Sequence, residues 1–260
     1  MKTLKLFMIA VALTLFSISA CKKDSTSATT TVTTDDAADI AAGALAENSG
    51  GLTSVTDNIA TNADAVVGSV NGKTVNSVGT ASIHQECGTT LADSASNAGS
   101  ADSVSWSYSV KYSRTLNCNT SNQPDNLIDS LVYDGSYHGP VVTSTNSGSA
   151  KVTIAGLTHQ ATNYVVNGDY HRTGSFDNKS SGKSYNSKIA ITATNVLLSK
   201  PGHKIVGGSA TFTISGSTPK GTYSYSGTIT FNADSSATLN ITGGGSYTID
   251  LRTGFRTRRK

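Results

Sequence analysis

Charge is scarce in this chain. Only 14% of its 260 residues are Asp, Glu, Lys or Arg, so the surface has to be built largely from Ser, Thr, Asn and Gly, as in many exported all-β proteins. The 20 basic residues less Lys2 and Lys5 leave 18 against 17 acids, a near balance that gives a nucleic-acid partner no support. Catalytic signatures are equally thin. No Gly-x-Ser-x-Gly elbow is present to activate a serine, and no HxH or HExxH pair to hold a metal. Gly243-Gly244-Gly245 enters a strand, with no helix N-terminus or lysine behind it to cradle phosphate. Glu47 and Glu86 lie far forward and the aspartates sit mostly in turns, which disfavours paired carboxylates for glycoside hydrolysis. With no such motif, no cofactor and no enzyme is expected. Long apolar runs are also missing, apart from Leu6 to Phe16, which is too short to cross a bilayer and stay there.

That run belongs to an export signal. Lys2 and Lys5 form its basic start, the apolar stretch follows, and small residues lead to Cys21. The segment Ile18-Ser19-Ala20-Cys21 resembles the lipobox of bacterial lipoproteins. The resemblance implies that residues 1–20 are removed and that Cys21 receives a diacylglycerol and begins the mature chain. Cys21-Lys22-Lys23-Asp24 is similar to the starts of Bacteroidota lipoproteins and differs from the inner-membrane retention pattern of Asp directly after Cys. An outer-membrane address, on the periplasmic or external face, is therefore expected, with the membrane as a partner through the acyl anchor. Of the three cysteines, Cys87 and Cys118 then form an even pair, expected as a disulfide in an oxidising envelope. Two buried free thiols are the alternative. Zinc is disfavoured, because neither cysteine belongs to a CxxC pair and only His84 is near.

Residues 21–34 are a Ser/Thr/Ala/Asp run with almost nothing to bury and read as a disordered tether. Residues 35–68 form a helical segment. Asp35 to Glu47 is rich in helix formers and stops at Asn48-Ser49-Gly50-Gly51, and Leu52, Val55, Ile59, Ala63 and Val66 then fall on one helical face. Residues 69–255 are expected to be a β domain. From Val104 to Tyr112 every second residue is apolar or aromatic. Thr222–Phe231, a turn at 232–236, and Ala237–Ile241 read as a hairpin. Further strands are expected at Ser130–His138, Ala150–Leu157, Asn163–Arg172, Lys188–Leu198, Ser209–Ser215 and Ser246–Arg252, about nine in all by this rule. With no helical pattern between them, the prediction is a mainly β fold, an antiparallel meander with a short N-terminal helical segment. Its apolar face has to be covered by curling into a barrel-like sheet, by folding as a sandwich, or by the helices.

Gly135-Ser136-Tyr137-His138 recurs as Gly168-Asp169-Tyr170-His171. One reading is a ligand platform in which rings on neighbouring strands stack on a sugar or another flat ligand. The other is that Gly permits a bulge while Tyr fills the core. His138 and His171, with Asp134 or Asp169, also define a two-His, one-carboxylate metal alternative. The basic stretch 256–260 reads as a solvated tail or as a contact for anionic lipid. Taken together, the sequence describes a lipid-anchored outer-membrane lipoprotein, non-catalytic, serving surface binding or envelope structure, with a glycan, lipid or envelope protein as partner. A carrier holding an apolar ligand in the curled sheet is the first alternative, and a metal-dependent enzyme using His138 and His171 the second.

Overall fold

A computed structural model describes residues 32–70, 85–101, 104–138, 142–178 and 182–259. Cys21, the tether before Val32 and His84 lie outside the described residues. Two helices come first: α1 (Thr34–Leu45), a 3-10 turn (Glu47–Ser49) and α2 (Leu52–Val70). Eleven strands follow: β1 (Thr90–Ala101), β2 (Val104–Cys118), β3 (Pro124–His138), β4 (Val142–Ala155), β5 (Asn163–Asn178) and β6 (Lys183–Ser199), then β7 (Ile205–Thr218), β8 (Gly221–Phe231), β9 (Ser236–Ile241), β10 (Ser246–Asp250) and β11 (Arg256–Arg258). Each strand pairs with the next, so the order in the sheet is the order in the chain. All ten pairings are antiparallel, and among the described residues β1 and β11 do not pair to close a barrel.

The apolar face is covered by the helices. Alternation sends Val152, Ile154, Tyr170, Ile191, Phe212, Ile229 and Leu239 to one side, where they form a single core with Leu45, Leu52, Ile59 and Val66. α1 lies over β6, β7 and β9–β11, and α2 over β3–β5. The alanines of α1 make this possible, since Ala37, Ala38, Ala41, Ala42 and Ala44 are all buried and let its backbone approach the sheet. Its start is set by a capping box: Thr33 Oγ1 accepts from the Asp36 N–H (3.2 Å) and Asp36 Oδ2 accepts from the Thr33 N–H (2.9 Å).

Three outcomes differ from the sequence expectations. β1 was not foreseen, because Thr-Leu-Ala-Asp-Ser-Ala-Ser-Asn-Ala-Gly-Ser-Ala contains little beyond small residues and has no large apolar side chain every second position. The stretch 256–258 is not a frayed tail but the last strand, exposed at Thr257 and Arg258, with Arg256 Nε and Nη2 on the Asp39 carboxylate (2.5 and 3.0 Å). β4, β5 and β6 also run well past their apolar alternation, to Val142, Asn178 and Lys183. The Cys87–Cys118 disulfide is formed, with 5.6 Å between Cα atoms across a sequence separation of 31.

Candidate functional site

Alongside α1, the inner face of the extended β2–β6 halves is only partly covered, leaving a cleft of about 1080 Å³ lined by Asp36, Asp39, Ile40 and Gly43 of α1, the 3-10 turn, and Ser54 and Asn58 in the first turns of α2. Its volume is slightly above the roughly 300–1,000 Å³ of ligand pockets. Register builds it in rows. Tyr137, Ser144, Phe176 and Tyr185 are direct partners across β3 to β6, and Gly135, Asn146, Gly174 and Ser187 form the next row. Behind them, Tyr133, Gly148, Arg172 and Ile189 make the row closest to the helices. The cleft thus has an aromatic ridge, a floor of small residues and a back wall.

Ring positions follow from the glycines opposite them. A Cβ at Gly148 would lie 2.5 Å from the Tyr133 hydroxyl, so only glycine lets that ring lie across β4. Tyr133 then exchanges a hydrogen bond with the Tyr170 hydroxyl at 2.7 Å. Burial raises the pKa of Tyr133, as it does for Tyr170, Tyr185 and Tyr108, so these phenols are neutral donors and acceptors at ordinary pH. Phe176 and Tyr185 stack on each other at 5.1 Å between centroids. Tyr108 and Tyr137 are each 41% exposed, which leaves their rings available in the cleft.

Apart from Glu47, the charges at the cleft are engaged within the protein. Lys183 Nζ donates to Asp36 Oδ1 at 2.8 Å. Burial alone would raise the Asp36 carboxyl, but the Lys183 ammonium and the Thr33 donors outweigh it and hold its pKa below the ordinary value. Arg172 donates from Nε to Asn146 Oδ1 (3.0 Å) and from Nη1 to the carbonyls of Gly43 (2.7 Å) and Ser49 (3.4 Å). It therefore ties the C-terminal end of α1 to β4 and β5 and meets the negative end of the helix.

The repeat divides between the two faces. Tyr137 and Tyr170 both lie on the inner face, but Tyr137 borders the cleft while Tyr170 is fully buried in the core, beside the bulge at Gly168. His138 and His171 are exposed on the opposite face. His138 aligns through Thr143 with Asp177, six residues along β5 from His171, so the pair stands about 20 Å apart. The four residues therefore form no single platform, and the two histidines cannot share an ion. Asp169 instead accepts from the Thr192 hydroxyl at 2.7 Å, and among the described residues no cluster of His, Cys, Asp or Glu suits a metal.

Tyr108, Tyr133, Phe176, Tyr185 and Arg172 were not singled out as one site by the sequence. Their common signal was available only after register was known, because they come from four different strands. A second polar group was also unforeseen. Asp129 and Arg114 are register partners buried beneath the sheet's cover at 2% and 5% exposure. Burial pushes Asp129 up to about 6, with Asn62, Arg114 and the Ser130 N–H opposing it. Comparison with protein-family models, with curated proteins and with solved structures found no match to this chain.

Proposed function

We propose that this chain is a non-catalytic lipoprotein of the outer membrane, anchored through Cys21, whose helix-covered sheet binds a ligand in the aromatic cleft. The observation that carries the binding role is the cleft itself, a cavity of about 1080 Å³ bordered by two exposed tyrosine rings on an otherwise well-filled core. A folded scaffold without a ligand has little reason to leave large rings wet beside a concave floor. The anchor rests on the basic start, the short apolar run and Ile18-Ser19-Ala20-Cys21. The Cys87–Cys118 disulfide supports an oxidising compartment. A carrier of apolar ligands fits less well, because Phe212 and Phe231 are buried in the filled core and the cleft is lined by Ser, Asn and an ion pair besides its rings.

The anchor is tested by changing Cys21→Ser in the full chain. The expected product is a soluble precursor without incorporated fatty acid, and membrane attachment of that variant would overturn the anchor. The cleft is tested by native mass spectrometry of the full chain beside a Tyr137→Ala/Tyr185→Ala variant. A co-purified adduct present on the parent and lost on the variant is expected, whereas an adduct retained by both places binding elsewhere.

A further inference from the structure

We infer that the cleft takes a neutral oligosaccharide laid across the strands, an inference that rests on the binding role proposed above. Geometry sets the direction. The ridge of Tyr137, Phe176 and Tyr185 and the floor of Gly135, Asn146, Gly174 and Ser187 both run from β3 to β6, three strand spacings or about 14 Å. Ser144 occupies the ridge between Tyr137 and Phe176, so the rings stand two strands apart, about 10 Å. An extended chain of flat units with apolar faces and polar edges matches that alternation, and linked pyranoses have that form: C–H faces for the rings, hydroxyl edges for the floor.

Chemistry selects the class. Asp36 is taken by Lys183, Asp39 by Arg256, and Arg172 by Asn146 and two carbonyls, so among the described residues the cations lining the cleft are already paired. Glu47, exposed on the 3-10 turn, would repel an acidic ligand. Ser54, Asn58, Ser144, Asn146 and Ser187 line the cavity and bring neutral donors and acceptors to it. An acyl chain would have to strip water from these groups without replacing their hydrogen bonds. Sugar hydroxyls replace them.

Isothermal titration calorimetry of the full chain tests this with neutral cello-, malto-, xylo-, manno- and N-acetylchito-oligosaccharides, with oligogalacturonate as the acidic probe and laurate as the apolar one. At least one neutral series is expected to bind with little dependence on salt. Tyr137→Ala should weaken it about tenfold, the size of one lost ring contact, while Tyr137→Phe, which keeps the ring, should bind within about threefold of the parent. Because the Tyr137 ring is 41% exposed, its loss leaves the core intact. Binding of oligogalacturonate alone, steeply weakened by salt, or of laurate alone would overturn the neutral-sugar class and leave the cleft as a binding site, provided Tyr137→Ala weakens it. Failure of every probe to respond to Tyr137→Ala would overturn both.

Discussion

Single residues set the chemistry of this fold most clearly where a polar group is buried. Asp129 is 2% exposed, its Oδ1 has no hydrogen-bond partner, and burial raises its pKa from an ordinary 3.8 to about 6. A carboxyl raised on folding binds more protons in the folded state than in the unfolded one. Between about pH 4 and 6 stability should therefore fall as pH rises, by about 3 kcal/mol across the window, and level off above it. Asp129→Asn should remove that slope. Denaturant unfolding of parent and variant across the window isolates it, since carboxylates lowered on folding, such as Asp36 and Asp250, lose stability in the opposite direction and cancel in the difference. A difference between parent and variant that does not change with pH would show that folding leaves the pKa of Asp129 unshifted. Nothing in the sequence marked this residue, because Asp-Ser at 129–130 reads as an ordinary polar step. Its Oδ2 accepts from Asn62 Nδ2 on α2 at 3.4 Å, a partner 67 positions away in the chain.

At the scale of elements, a few polar contacts set how the helices lie on the sheet. α2 is held to the β6–β7 turn by His203, whose Nδ1 and Nε2 face Asp57 Oδ1 (3.1 Å) and Asp64 Oδ2 (2.9 Å), and to β5 by the Tyr164 hydroxyl donating to Asp64. Changing His203→Ala should destabilise the chain by about 1–3 kcal/mol, measured as a fall in the denaturation midpoint. No change would show the clamp to be a surface ornament of the helix. α1 depends on its capping box, and Thr33→Ala should cost about 1 kcal/mol. The helical series Leu52, Val55, Ile59, Ala63 and Val66 was legible because period alone predicts a buried face, and all five are buried. The extended halves of β4 to β6 were not, because their inner positions mix Ser144, Asn146, Gly174 and Ser187 with single rings at Phe176 and Tyr185, which gives no sustained apolar alternation within any one strand. Those unreadable halves are the cleft.

The whole molecule is a meander in which every strand pairs with its sequence neighbour, so its topology was inferable from strands with no helices between them. The disulfide closes a loop of 31 residues between the start of the sheet and the β2–β3 turn, and by loop entropy it should contribute about 3–4 kcal/mol. Intact mass after alkylation without reductant should show both thiols blocked, and Cys87→Ser/Cys118→Ser should unfold at lower denaturant by that amount. Sequence by itself determined what depends on local order: the alternation of period two, the helical face, the even cysteine pair and the meander, because each is encoded in neighbouring residues. Only the tertiary structure decided that helices rather than a second sheet or barrel closure cover the apolar face, that His138 and His171 lie about 20 Å apart, and that rings from separate strands border one cavity. Those outcomes depend on register and on where the cover ends, which are properties of packing between segments distant in the chain.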